Sequence, residues 1–204
     1  MTRRPKVYGD SRSGNCYKIK LLCAELHIDY DWQEVDILAG DTHTTQFLAM
    51  NPNGKIPLLA LTDGRYLPES NAILAFLADG DRLAGADRFT RARVLQWMFF
   101  EQYSHEPNIA TSRFIVKYLG NPPEQAQSLE AKRAGGYKAL GVMEQQLAQQ
   151  AHMAGEDFTI ADIALFAYTH VADEGGFSLD DYPAIRTWIE RIRARPYFVT
   201  MGSA

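Results

Sequence analysis

Cysteine is scarce in this chain: two in 204 residues, Cys16 and Cys23. Two thiols cannot build a disulfide scaffold or a Cys-rich zinc site, and so few fit a protein made in a reducing compartment. No metal is expected. Long apolar runs are missing as well, and nothing approaches the ~20 residues of a membrane span. The basic start, Thr2-Arg3-Arg4-Pro5-Lys6, is followed by Asp10 and Ser11 rather than by the apolar core of a secretory signal, so a cytoplasmic location without membrane attachment is expected. Neither sign of charge is in large excess, with 21 Lys and Arg against 25 Asp and Glu. A pI near 5.7 argues against a nucleic-acid binder, which usually carries a basic surplus. With 46% hydrophobic residues and no repeat or low-complexity segment, the chain is neither disordered nor fibrous. It is long enough to bury about 70% of its unfolded surface unaided.

Two kinds of pattern divide the chain. Residues 6–8 read as a short strand stopped by Gly9-Asp10. Residues 15–27 repeat Ile19, Leu22, Cys23 and Leu26 at helical spacing, and residues 30–37 alternate as a strand. Thr45–Met50 is a short helix ended by Asn51-Pro52-Asn53-Gly54. The run 57–61 predicts a buried strand, Asp63-Gly64 a hairpin turn, 65–67 the return strand and 69–78 a helix. A parallel βαβ unit followed by an antiparallel hairpin makes a mixed sheet flanked by helices. Beyond a turn-rich linker, 79–86, helical periodicity takes over: 88–118 with a break expected at Pro107, then 124–150, 160–172 and 184–195. The domains expected are therefore 1–78, α/β, and 87–204, all-α. Charge does not separate them, since residues 1–80 carry 8 basic and 10 acidic groups and the remainder 13 and 15.

Three local motifs carry candidate chemistry. In the first, Tyr8 to Lys18, a strand passes through the polar loop Asp10-Ser11-Arg12-Ser13-Gly14-Asn15 into a helix. A hydroxyl and an amide at a helix N-terminus stabilise an anion, although the same residues also serve as ordinary N-caps. The second is Asn51-Pro52-Asn53-Gly54-Lys55-Ile56-Pro57. Proline at a strand start marks a special turn, and a cis Ile56–Pro57 bond would present the backbone of Ile56 to an extended peptide ligand. The third, Glu69-Ser70-Asn71-Ala72-Ile73-Leu74, opens a helix after a strand, a place suited to a ligand carboxylate and ammonium together, or again to simple capping.

In this order and spacing the motifs resemble those of the soluble glutathione transferases, in particular a bacterial-type member with a Ser-x-Asn-x-x-Lys loop from Ser13 to Lys18. The resemblance extends to Gly155-Glu156-Asp157-Phe158-Thr159-Ile160-Ala161-Asp162 and spans nearly the whole chain. It implies a thioredoxin-like α/β N-terminal domain with a mixed four-stranded sheet and an all-α C-terminal bundle. It also implies glutathione as co-substrate, a homodimer, and a thiolate attacking a small hydrophobic or electrophilic molecule. Glu69 and Ser70 would hold the γ-glutamyl end, and Ile56, with Pro57 behind it, the cysteinyl backbone. Lys55 and His43 would face the glycine carboxylate, with Thr42 or Gln46 as alternatives to His43.

A hydroxyl donating to sulfur favours the thiolate by about 1–3 kcal/mol. Counting back from Lys18, the resemblance implies Ser13 for that role with Asn15 as its partner amide, leaving Ser11, Cys16 and Tyr8 as alternatives. Cys16 and Cys23 lie seven apart on one helix face, which suits core packing. Phe99, Phe100, Tyr103, His105, Asn108, Arg113 and Phe114 are candidates for a second-substrate pocket, with His105 and Arg113 suited to a carboxylate. Thr159 to Asp162 reads as a capping box. Conjugation is the activity expected. Disulfide or peroxide reduction and isomerisation would use the same residues, and the rival from another class is a non-catalytic interaction protein of the same fold.

Overall fold

The computed structural model describes residues 4–202. Strand β1, Lys6–Gly9, runs parallel to β2, Asp31–Glu34, and antiparallel to β3, Leu58–Ala60. β3 pairs antiparallel with β4, Tyr66–Pro68, so the mixed sheet has the order β2-β1-β3-β4. The register sets Val7 opposite Leu59, and Tyr8 opposite Leu58 on the other face. The Tyr8 side packs with Val35, Phe47 and Ile56, under the short helix α2, Thr45–Met50. The Val7 side lies under α1, Gly14–Glu25, which itself packs on α3, Ser70–Leu77, and buries Ile19, Leu22, Ile73 and Leu74. β2 is shorter than the alternation suggests: Asp36 leaves the ladder, and its carboxylate accepts from Leu38 and Ala39 N–H groups to turn the chain.

The chain divides into two compact units, Gly80–Pro196 forming the second. Pro196 follows the last helix, and the tail from Tyr197 belongs with the first unit rather than with the helices. There the Tyr17 hydroxyl donates to the Val199 carbonyl (2.6 Å), and the Tyr197 ring meets His27 edge-on.

The second unit is built on α4, Arg88–Phe100; α5, Glu106–Arg113; α6, Ala126–Leu147; α7, Ile160–Thr169; and α8, Pro183–Arg193. Every residue of α7 is buried. Between α4 and α5 the chain widens into a π-helix, Glu101–His105, and Pro107 falls in the first turn of α5. The expected break is therefore a wider turn, one that gives the proline ring room against the preceding carbonyls.

A candidate glutathione site

The loop of the first motif begins where β1 reaches Gly9. A Cβ there would stand 2.7 Å from Trp32 and 2.8 Å from the Cys16 sulfur, so only glycine lets the strand end this close to α1. Asp10, buried, then organises the loop: it accepts from the Arg12 N–H and guanidinium, and its carbonyl accepts from Ser13 N–H. Glu34 accepts from Ser11 N–H at 2.8 Å and from the Trp32 indole at 2.6 Å, pinning the loop from β2. Ser13 is the N-cap of α1. Its Oγ accepts from Cys16 N–H at 3.4 Å, which uses a lone pair and leaves the hydroxyl proton to donate.

The alternatives have other surroundings. Cys16 is fully buried, and desolvation pushes its thiol up to about 12 against the opposing hydrogen bond from Ser13. It is not a thiolate near neutrality. Cys23 is pushed up to about 12 by the same cause. Tyr8 lies edge-on to Phe47 in the core cluster, with Lys6 over its ring.

In the second motif the Ile56–Pro57 peptide is cis. Buried Asn51 ties the loop together, donating from Nδ2 to Lys55 O (2.8 Å) and accepting at Oδ1 from Asn53 N–H. The His43 ring lies 3.3 Å from where a Gly54 Cβ would be, and Gly54 has φ +60°, so this glycine lets the histidine pack close against the loop backbone. Lys55, His43 and Gln46 are exposed, whereas Thr42 is buried.

In the third motif Glu69 has φ 72° and ψ 114°, a conformation costing a non-glycine residue on the order of 1–3 kcal/mol. Its side chain makes no cap bond, so simple capping does not account for it. Ser70, only 5% exposed, joins the first and third motifs. Its hydroxyl donates to Asn15 Oδ1 (3.2 Å) and accepts from Lys18 Nζ (3.2 Å), while Lys18 also donates to Asn71 Oδ1 (3.3 Å). The structure thus gathers Ser13, Asn15, Glu69 and Ser70 around the first turns of α1 and α3. Lys18 and Asn71 were visible only as letters of the motifs. Glu34, a lone carboxylate on a strand, carries no local signal at all.

The four polar and aromatic candidates of the helical unit do not share one environment. His105 is fully buried, its Nε2 bonded with Thr169 Oγ1. Arg113 is buried against Glu174 (2.7 Å), whose carboxyl is raised by its own burial but held below its usual range by Arg113 and Lys117. Asn108 donates to the Ser104 carbonyl, and Tyr103 stands 88% exposed. His105 and Arg113 are thus engaged with Thr169 and Glu174 of the same unit. An open groove of about 1040 Å³ in this unit, lined by His170, Phe177, Arg186 and Arg193 among others, includes none of the motif residues. Among the described residues no helix is long and apolar enough to cross a membrane, and no cluster of three His, Cys, Asp or Glu side chains is placed to hold a metal ion.

Comparison with known proteins agrees with this geometry. Residues 12–79 match the model of the glutathione S-transferase N-terminal domain, and residues 95–196 that of the C-terminal domain. The crystal structure of a glutathione S-transferase from Pseudomonas fluorescens Pf-5 superposes with a TM-score of 0.95 at 58% identity, covering 97% of this chain and 98% of that one. A glutathione transferase family member from the same organism, solved with two glutathione bound, has a TM-score of 0.82 at 27% identity over 96% and 90% of the two chains. The disulfide-bond oxidoreductase YfcG of Escherichia coli K12 is 30% identical over 89% of this chain and 87% of its own length. With both domain models matched in order, on a mixed sheet followed by a helical unit, this chain belongs to the glutathione S-transferase family.

Proposed function

We propose that the protein binds glutathione at the three motifs and directs its thiolate at a small electrophile. Ser13 is the catalytic hydroxyl and donates to the sulfur, with the Asn15 amide assisting. The first turn of α1 adds the positive end of its dipole. The hydroxyl stabilises charge and takes no proton, so its contribution is a lowered thiol pKa and a positioned nucleophile. Glu69 and Ser70 hold the γ-glutamyl end, Ile56 and Pro57 the cysteinyl backbone, and Lys55 with His43 the glycine carboxylate. The protein acts as a homodimer in the cytoplasm.

One observation carries this reading: the Asn15–Ser70–Lys18 hydrogen bonds, which hold the thiol-facing and γ-glutamyl-facing motifs together as one unit. Two proteins that keep glutathione in their crystals, at 27% and 28% identity, support the co-substrate. The likeness to YfcG favours a second reaction at the same residues, reduction of a disulfide. In it one glutathione thiolate attacks the disulfide and expels one thiol. A second attacks the mixed disulfide, expelling the other thiol and leaving oxidised glutathione. The buried, protonated Cys16 and Cys23 are suited to neither step.

The test is glutathione binding by calorimetry, with conjugation of an aromatic halide and disulfide reduction followed spectroscopically. Ser13→Ala is expected to lower kcat/KM by about 100-fold. It should also cost the protein about 1 kcal/mol through the lost cap. Full activity in Ser13→Ala would move the role to another loop residue. Absence of glutathione binding in the parent would favour the non-catalytic interaction protein.

A further inference from the structure

Lys18 is fully buried, an unusual place for a lysine, and it takes no part in the chemical step above. Its chemistry constrains its neighbours. An ammonium has three donors and no acceptor, so its contact with Asn71 must fall on the carbonyl oxygen Oδ1, and its contact with Ser70 must use an Oγ lone pair. Ser70 has a single proton, and that proton goes to Asn15 Oδ1. The bonds therefore run in one direction, from Lys18 through Ser70 to Asn15. Reversing them would leave a buried ammonium facing an O–H donor.

We propose that Lys18 is a positioning residue of the glutathione site, whose buried ammonium sets the direction of the hydrogen bonds coupling the γ-glutamyl end to the thiol end. The inference rests on the glutathione reading and deepens it. Asn71 completes the device by anchoring the ammonium from the residue after Ser70 in α3. Because Ser70 and Asn15 lie on different helices, 55 positions apart in sequence, a change at Lys18 reaches both ends of the bound tripeptide.

The test compares the parent with Lys18→Met and Lys18→Arg, all well below their melting temperatures. Calorimetry gives the Kd for glutathione, and the ultraviolet absorbance of the thiolate against pH gives the thiol pKa of the bound molecule. Lys18→Met is expected to raise Kd about tenfold and the thiol pKa by about one unit. Lys18→Arg should return both to within about threefold of the parent, because it restores a donor-only cation. A melting temperature that falls in Lys18→Met while Kd and thiol pKa hold would make Lys18 structural and overturn the proposal. A changed Kd with an unchanged thiol pKa would overturn the coupling. Should Lys18→Met fail to fold, Asn71→Ala removes one anchor of the ammonium and should move both quantities in the same direction by about threefold, no movement counting against the proposal. Failure of the parent itself to bind glutathione is a different result and falls on the glutathione reading.

Discussion

His170 is where burial acts most plainly on a single titrating group. Desolvation lowers its pKa to about 4, outweighing the bond with the Phe166 carbonyl, while Arg193 and Arg113 add repulsion and Glu174 opposes them. A carbonyl only accepts, so Nδ1 carries the proton in that 2.8 Å bond. Since the folded value lies below the unfolded value of about 6.5, the unfolded chain takes up a proton in that interval that the folded chain refuses. Stability is thus complete above about pH 6.5 and declines as pH falls towards 4. Urea melts should lose about 2 kcal/mol between pH 7 and pH 5. His170→Phe keeps a ring against Phe166 and should flatten that loss. An equal loss in the variant would assign the effect to another group. Other residues differ in how visible they were in advance. Ser13 is legible because a hydroxyl ahead of a helix has a local signature, and the cap it forms is the one observed. The burial of Lys18 is not legible, because α3, 52 positions away, supplies it. Nor does any residue type announce the positive φ of Glu69.

At the scale of elements, the mixed sheet and its flanking helices follow from periodicity, turn residues and apolar runs, all local in sequence. What periodicity missed was the width of the helix: the π segment 101–105 buries the polar Glu101 and His105, so no apolar repeat marks the wider turn. The N-terminus of α7 was legible through Thr159 and Asp162, and the capping box is present. Its reach was not. Asp162 also accepts from Met153 N–H and from the Trp188 indole, both at 2.9 Å, so one carboxylate joins the preceding loop, α7 and α8. Asp162→Ala would leave the Thr159 and Met153 amides and the Trp188 indole without their acceptor, at about 1–3 kcal/mol each before relaxation. A fall in melting temperature of about 10 °C is expected for a chain of this size. A fall below about 2 °C would show that α7 forms without the box.

At the scale of the whole molecule, the proposed dimer can be argued from α4, a helix that leaves several large apolar side chains in water. On α4, Leu95 and Phe99 stand one turn apart at 45% and 70% exposure, and Tyr103 follows in the π segment. Isolated exposed apolar residues are common, but a row of them on one helix marks an interaction surface. Each aromatic can bury about 150–250 Å² against a partner. The partner proposed is a second copy of the chain, and a two-fold interface would place the same stripe on both subunits. Phe99→Glu combined with Tyr103→Glu would put two carboxylates per chain into that interface, where desolvation and like charge both oppose contact. In sedimentation equilibrium the parent is expected at twice its 23.0 kDa chain mass and the double variant at the single mass. Both substitutions lie on exposed positions, so the variant should keep its fold, and its circular dichroism should match the parent's. A double variant that stays dimeric would place the contact elsewhere, and a monomeric parent would remove the dimer from the proposal while leaving the glutathione site, built within the first unit, unaffected.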